Sequence, residues 1–143
     1  TGIPDFVAGL VTVTPIPWQG LVGGTTARTV VLTGDGDTIA APAESIAIWD
    51  RLTGAASRSL YQLRGDATQS PAIQADHMAP IQDQGIAPDF VMNALGGDAE
   101  EDTADWRFYW AALDQVMAGN GLPTFTMGSW ANGTPVKPVV RLR

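Results

Sequence analysis

The absence of cysteine is the feature that most constrains how this chain folds. Its 143 residues include no cysteine, which excludes disulfide frameworks, zinc ribbons, iron–sulfur centres and thiol catalysis. Hydrophobic residues make up 45% of the chain, too many for wholesale disorder. A chain of this length buries enough apolar surface to be stable without cross-links. We therefore predict a single domain over residues 1–143, with extended ends and an irregular segment at 65–97.

The charges are divided unevenly along the chain. The net charge is -7, yet residues 65–105 alone contain nine acidic residues and no Lys or Arg, whereas residues 106–143 contain four basic residues and one acidic residue. Binding to nucleic acid needs clustered Lys and Arg, so no nucleic acid is predicted as the main partner. The division instead predicts an acidic surface in the middle of the chain and a basic C-terminal end.

The sequence gives no sign of a membrane segment or of a leader. It lacks a run of roughly 18 apolar residues, the length that a membrane span needs. Residues 1–5 lack the basic and apolar regions of a secretory signal. We expect a soluble protein with no membrane partner; whether a leader precedes Thr1 is left open.

The first 40 residues have the pattern of strands. Residues 10–14 and 28–33 are rich in β-branched residues, which favour strands. The sequence Gly34-Asp35-Gly36-Asp37 is typical of a turn and leads into residues 38–41, which predicts a β-hairpin at this point.

Residues 43–64 allow two interpretations. Apolar residues recur at helical spacing and Pro42 suits a first helical turn, which predicts a helix. The same residues also fit a strand at 45–50, a turn, and a return strand at 58–64, and Gly54 disfavours one continuous helix.

Residues 98–118 have the clearest helix pattern in the chain. Asp98 and Glu101 fit a capping box, and Gly119 with Pro123 ends the pattern. An apolar stripe along this helix is interpreted as a core face; it comprises Trp106, Tyr109, Trp110, Leu113, Val116 and Met117. Residues 124–127 and 136–142 are predicted strands. The fold class is α+β, a small and mostly antiparallel sheet with one or two helices.

Two sets of residues suggest chemistry. His77 is the only histidine, and with the adjacent Asp76 it could act as a base with its orienting carboxylate; the alternative is a histidine on a polar loop. Asp35 and Asp37 resemble the start of a cation-binding loop. Because the later ligands of such a loop are missing, a structural turn is favoured. No cofactor is predicted, and no metal site apart from this alternative.

Five acidic residues near the predicted helix start are assigned to an acidic surface: Asp98, Glu100, Glu101, Asp102 and Asp105. Carboxylates in a first helical turn stabilise the helix dipole, and this is the favoured interpretation. Binding of a divalent cation and docking of a basic partner are the alternatives.

Interface residues are predicted in loops and at the basic end. Trp18 and Trp130 lie in loop-like contexts, and a loop tryptophan either anchors an interface or folds back over the sheet. The end of the chain alternates apolar and basic residues and is predicted to add a strand to a neighbouring subunit; the residues assigned are Val136, Lys137, Val139, Arg141 and Arg143.

Two hypotheses of function follow. The first is a non-enzymatic structural or assembly protein that contacts other subunits, copies of itself, for example as a head-decoration, neck or tail component of a virion. Its acidic surface would meet the basic end of the next copy. The second is a small enzyme or ligand-binding domain with a site near Asp76 and His77.

Overall fold

A sheet of three strands lies at the centre of the molecule. The structure, a computed structural model, describes residues 22–81, 88–97 and 99–143. Within them β1 (Thr29–Gly34) pairs with β2 (Arg58–Leu63) in parallel over six residue pairs, and β2 pairs antiparallel with β3 (Val140–Arg141). The sheet is therefore mixed, with strand order β1-β2-β3, and the fold is α+β as predicted. The prediction of a mostly antiparallel sheet is too specific, because its long pairing is parallel.

The hairpin predicted after β1 is wrong. Residues 38–41 are not a strand. The chain instead continues into helix α1 (Pro42–Arg51) before returning as β2, and a crossover of this kind makes neighbouring strands parallel. Both interpretations of residues 43–64 are thus half confirmed, since a helix fills the first part and the return strand fills the last. Gly54 lies beyond the helix, where an added Cβ would lie 3.0 Å from the carbonyl oxygens of both Gly23 and Thr25.

Among the described residues, the second half of the chain contributes three further helical elements. They are α2 (Asp89–Ala94), a π-helical segment (Asp105–Tyr109) and α3 (Trp110–Met117). The predicted helix of residues 98–118 begins only at Thr103, because residues 99–102 are described and are not helical; Asp98 lies outside the described residues. The predicted strand at 124–127 does not form, although Met127 is buried there. Residues 10–14 lie outside the described residues.

The core is formed by β2, the π-helical segment and the C-terminal residues. Its main cluster comprises Tyr61, Leu63, Ile73, Ala75, Ala104, Phe108, Met127 and Val136. β2 is the central strand, and Leu60 and Leu63 are wholly buried there, as expected for a strand covered on both faces. The end of α3 is fixed to the sheet by Arg28, whose guanidinium donates to the carbonyl of Val116 at 3.0 Å and to that of Asn120 at 2.7 Å.

The apolar stripe predicted as a core face is not the buried face of the helix. None of its six residues is buried, and Tyr109 is the one that packs against the main core cluster. The buried residues are Ala104, Phe108 and Ala112, four residues apart, whereas Trp106 and Leu113 are exposed. The π-helical segment explains the difference, because its N–H groups bond five residues back, as from Trp110 to the carbonyl of Asp105, and the wider turn rotates the faces of the helix.

Candidate functional site

The glycine-rich turn after β1 lets a second segment of backbone cross the end of the strand. The N–H of Gly36 donates to the carbonyl of Ala75 at 3.0 Å. A Cβ on Gly34 would overlap the same carbonyl oxygen. Neither glycine has a positive φ, so they are needed here for close approach rather than for turn conformation. The crossing brings Asp76 and His77 beside the turn that carries Asp37.

His77 pairs with Asp37 rather than with its neighbour Asp76. The imidazole Nδ1 lies 3.0 Å from Asp37 Oδ2, and the two side chains are 37% and 12% exposed. The other carboxylate oxygen of Asp37 accepts the N–H groups of Ile39 and Ala40 at 2.9 and 2.7 Å, which holds the carboxylate in place. When neutral His77 carries its proton on Nδ1, this contact leaves Nε2 as an acceptor. The arrangement is that of an oriented base.

Asp76 is fixed on the same side of the molecule. Its Oδ1 accepts the N–H groups of Met78 and Ala79 at 2.9 and 3.0 Å. The backbone of Gly97 packs so closely on this carboxylate that any Cβ there would overlap it. Asp76 therefore shapes the turn that carries His77 and places a second carboxylate near Asp37.

A cavity of about 170 Å³ opens at this end of β1. Its polar lining comprises Thr33, Asp37, Ser45, Asp76, His77 and Tyr109. Burial, together with the negative charges of Asp76 and Asp37, raises the pKa of Tyr109 far above its ordinary value of 10. The phenol therefore stays protonated at neutral pH and is available as a donor.

The carboxylates of Asp35 and Asp37 have separate structural partners. Asp35 Oδ1 accepts the N–H of Gly65 at 2.8 Å, whereas Asp37 bonds to its own turn and to His77. Over the described ranges, no group of three or more His, Asp or Glu side chains is arranged to hold a metal ion. The favoured interpretation, a structural turn, agrees with these contacts, although the turn does not form a hairpin.

A fourth carboxylate, which sequence reasoning passed over, lies in the interior. Asp66 is buried and accepts hydrogen bonds from the backbone N–H and the hydroxyl of Thr68, from Trp130 Nε1 at 3.2 Å and from the N–H of Lys137 at 2.9 Å. These contacts, with the Thr68 hydroxyl first, lower the pKa of Asp66 well below its usual range. Asp66 thus joins three segments of the chain.

The predicted interface residues mostly have partners inside the chain. Trp130 packs against the main core cluster and Val136 belongs to it. Lys137 Nζ donates to the carbonyl of Gly65 at 2.6 Å. Val139 packs on the same cluster, and Arg141 lies in β3.

These contacts favour the alternative interpretation of Trp130, a tryptophan folded back over the sheet. Of the predicted strand at 136–142, only Val140–Arg141 forms a strand, and it pairs with β2 of its own chain. Its addition to a neighbouring subunit stays a prediction. Arg143 is exposed and donates to the carbonyl of Leu142 at 2.9 Å. Trp18 lies outside the described residues.

Two acidic residues, Asp102 and Asp105, form a cap at the start of the π-helical segment. Asp102 Oδ1 accepts the N–H of Ala104, and Asp105 Oδ2 accepts the N–H of Asp102 at 2.9 Å, which is a capping box built from two aspartates. Asp105 is wholly buried, so it does not belong to the predicted acidic surface. Glu100 and Glu101 are exposed, and Asp98 lies outside the described residues.

An Asp105→Asn variant is expected to raise the Tm at pH 7 by about 3 °C. Burial and the charge of Glu101 raise the pKa of Asp105 above its ordinary value of 3.8, so the ionised form destabilises the fold above that raised pKa. Asn removes the charge and keeps an oxygen for the N–H of Asp102. The gain in Tm should vanish below pH 3.8, where the carboxyl is protonated in both states.

Thermal unfolding followed by circular dichroism between about pH 3 and pH 8 measures this effect. Asp114→Asn is the matched control, because Asp114 is an exposed acid on the following helix, and its Tm should change little. A lower Tm for Asp105→Asn than for the wild type at pH 7 would show that the buried charge stabilises the protein.

The comparisons with known proteins give no indication of function. The sequence matches no protein-family model, no curated protein and no solved structure. Among the described residues, no helix has both the length and the apolar character needed to cross a membrane.

Sequence reasoning missed Thr33, Asp66 and Tyr109 as polar groups of interest. Tyr109 was assigned to the core, where it half belongs, but it also lines the cavity together with Asp37 and Asp76. A local signal was present only for Asp66, since Asp-x-Thr is a pattern in which the carboxylate bonds its own backbone two residues on. Nothing in the sequence marks Thr33, because a threonine within a strand is ordinary.

Proposed function

We propose that the protein is a non-enzymatic structural or assembly protein that acts through contacts with other copies of itself. The observation that carries the proposal is an exposed apolar row on the C-terminal helix. Trp106, Leu113 and Met117 are 61%, 57% and 77% exposed. Contiguous apolar surface of this kind marks contact sites in proteins, and tryptophan concentrates binding energy when it is desolvated.

The row has the spacing of a helix–helix packing seam. With Trp110, which contacts Trp106 edge to face at a centroid distance of 4.3 Å, the residues follow one another by four, three and four positions. Within α3, the steps of three and four positions are those of the apolar positions of a heptad pattern, which interdigitate with the same positions of a second helix, and Trp106 continues the row through its ring contact with Trp110. We call Trp106, Trp110, Leu113 and Met117 the helix seam.

The helix seam is complementary to a copy of itself. Trp106 and Met117 are symmetrically placed about a point between Ala111 and Ala112, and so are Trp110 and Leu113. Two antiparallel copies related by a two-fold axis would therefore pair Trp106 with Met117 and Trp110 with Leu113, each contact occurring twice. Two-fold dimers of this type are the commonest protein assemblies, and this symmetry supports a second copy as the partner.

The oligomeric state tests the proposal. Sedimentation equilibrium over a wide range of protein concentration should reveal a dimer, and Leu113→Asp should weaken the association roughly thirtyfold or more. Leu122→Asp is the matched control, because Leu122 is also an exposed leucine, at 43%, and lies outside the helix seam. A wild-type chain that stays monomeric at every concentration, or equal effects of the two substitutions, would rule out this contact.

Two finer parts of the proposal rest on composition. The place in a virus particle stays a prediction from the sequence, and so does the head-to-tail contact between the acidic surface and the basic end. The alternative hypothesis, a ligand-binding domain near Asp76 and His77, is favoured by one specific observation. His77 is oriented by Asp37 at the edge of a cavity, rather than on an open surface.

A further inference from the structure

The chain contains two Asn-Gly pairs, and the fold holds them differently. Asn120 and Gly121 follow the end of α3, whereas Asn132 and Gly133 lie in a turn before the C-terminal segment. All four residues are exposed. An asparagine followed by glycine can lose its side-chain amide without an enzyme, because glycine has no side chain to keep its nitrogen away from that amide. The fold decides which of the two pairs is free to react.

The pair at Asn132 is fixed by hydrogen bonds on both of its reacting groups. The N–H of Gly133 donates to the carbonyl of Trp130 at 2.8 Å, and the amide oxygen of Asn132 accepts the N–H of Thr134 at 2.9 Å. A further backbone bond, from the N–H of Trp130 to the carbonyl of Thr134 at 2.8 Å, closes the turn. An amide nitrogen held in this way is protected until the turn opens.

The pair at Asn120 is free on the groups that react and is held on its carbonyls. Neither the side chain of Asn120 nor the N–H of Gly121 has a hydrogen-bond partner among the described residues. The guanidinium of Arg28 donates to the carbonyls of Asn120 and Gly121 at 2.7 and 3.2 Å. The shorter bond polarises the peptide group that joins Asn120 to Gly121. It therefore stabilises the negative charge that this group gains when its nitrogen loses a proton.

We propose that Asn120 is a site of spontaneous deamidation, with the backbone nitrogen of Gly121 as the nucleophile and water as the co-reactant. That nitrogen loses its proton and forms a bond to Cγ of Asn120. The bond from Cγ to Nδ2 breaks, and Nδ2 takes up the proton and leaves as ammonia. One water molecule then opens the cyclic imide and leaves aspartate or isoaspartate at position 120. The product carries a new negative charge beside Arg28, at the end of α3.

Mass spectrometry of the full chain after incubation in mildly alkaline buffer tests the proposal. Chymotrypsin separates the two sites, because Phe125 and Trp130 lie between them. In the folded protein Asn120 should deamidate at least about tenfold faster than Asn132, since hydrogen bonds must open first at Asn132. In concentrated guanidinium chloride the two rates should become similar, because the fold no longer protects either pair. Equal rates in the folded protein, or an unchanged difference in the denaturant, would overturn the proposal.

A Gly121→Ala variant identifies the nucleophile. A methyl group at position 121 hinders the approach of its nitrogen to the Asn120 side chain, so deamidation at Asn120 should slow severalfold. The fold accepts the methyl group, since a Cβ there would meet no heavy atom of a described residue within 4 Å. Asn132 in the same molecule is the internal control, and its rate should not change. An unchanged rate at Asn120 would mean that water attacks the amide directly, which would overturn the proposal.

Hydrogen exchange gives a result that does not depend on the deamidation chemistry. The N–H of Gly121 should exchange faster than that of Gly133, because within the described part of the chain only the N–H of Gly133 donates to a carbonyl. Exchange of both amides is measured by NMR on the intact, unmodified chain. Slower exchange at Gly121 would mean that its nitrogen is protected and is not the nucleophile.

Discussion

A Gly34→Ala variant is expected to lose about 3 kcal/mol of unfolding free energy. The added Cβ would overlap the carbonyl oxygen of Ala75, which belongs to backbone and cannot turn aside as a side chain would. To remove this overlap, the segment around Ala75 must move away from the end of β1. That movement also breaks the hydrogen bond from the N–H of Gly36 to the carbonyl of Ala75. Urea denaturation followed by tryptophan fluorescence measures the loss.

Two other glycines provide the controls for this prediction. A Cβ on Gly36 would lie 3.3 Å from the same oxygen, so Gly36→Ala should have a smaller effect. A Cβ on Gly121 would meet no heavy atom of a described residue within 4 Å, and Gly121→Ala should change stability by less than about 0.5 kcal/mol. Equal stabilities of Gly34→Ala and Gly121→Ala would contradict the close crossing.

An Asp66→Ala variant is expected to lower the Tm at pH 7 by roughly 10 °C. The substitution removes the acceptor for the backbone N–H groups of Thr68 and Lys137 and for the indole N–H of Trp130. Buried donors that lose their acceptor retain the full cost of leaving water. Differential scanning calorimetry measures the change, and Asp35→Ala is the matched control, since that exposed aspartate accepts one backbone N–H.

The pH dependence of the Asp66→Ala effect has a definite sign. Because the pKa of Asp66 is lowered from its ordinary value of 3.8, protons bind the unfolded chain more readily than the folded one. The stabilisation by Asp66 is therefore complete above pH 3.8 and is lost as the pH falls further. The difference in Tm between the wild type and Asp66→Ala should shrink between about pH 4 and pH 2. A constant difference over that range would mean that the charge of Asp66 is not what stabilises the fold.

Local patterns predicted the helices better than the pairing of strands. Pro42 was compatible with the start of α1, and the apolar repeat after Asp102 indicated the long C-terminal helix, because both depend on residues within a few positions of one another. The hairpin prediction was wrong because Gly34-Asp35-Gly36-Asp37 has the composition of a tight turn. Its glycines are needed because the backbone of Ala75, some 40 residues further along the chain, packs closely against them. No local sequence pattern indicates that contact.

The candidate site was predictable only in part for the same reason. His77 was identified because it is the only histidine, but its partner Asp37 lies 40 residues away and the adjacent Asp76 was the natural first choice. Asp105 looked like a surface acid because it stands among other acids in the sequence. The π-helical segment turns it into the interior, which a regular helical period does not predict.

The carboxylate of Asp66 also affects the order in which this chain can fold. Its partners Trp130 and Lys137 lie 64 and 71 residues further along the chain, so a large loop must close before these contacts contribute. Helix α1 needs only neighbouring residues and can form early, whereas the contacts of Asp66 depend on the arrival of the last part of the chain. On the ribosome, the centre of the molecule therefore stays incomplete until residue 137 has emerged.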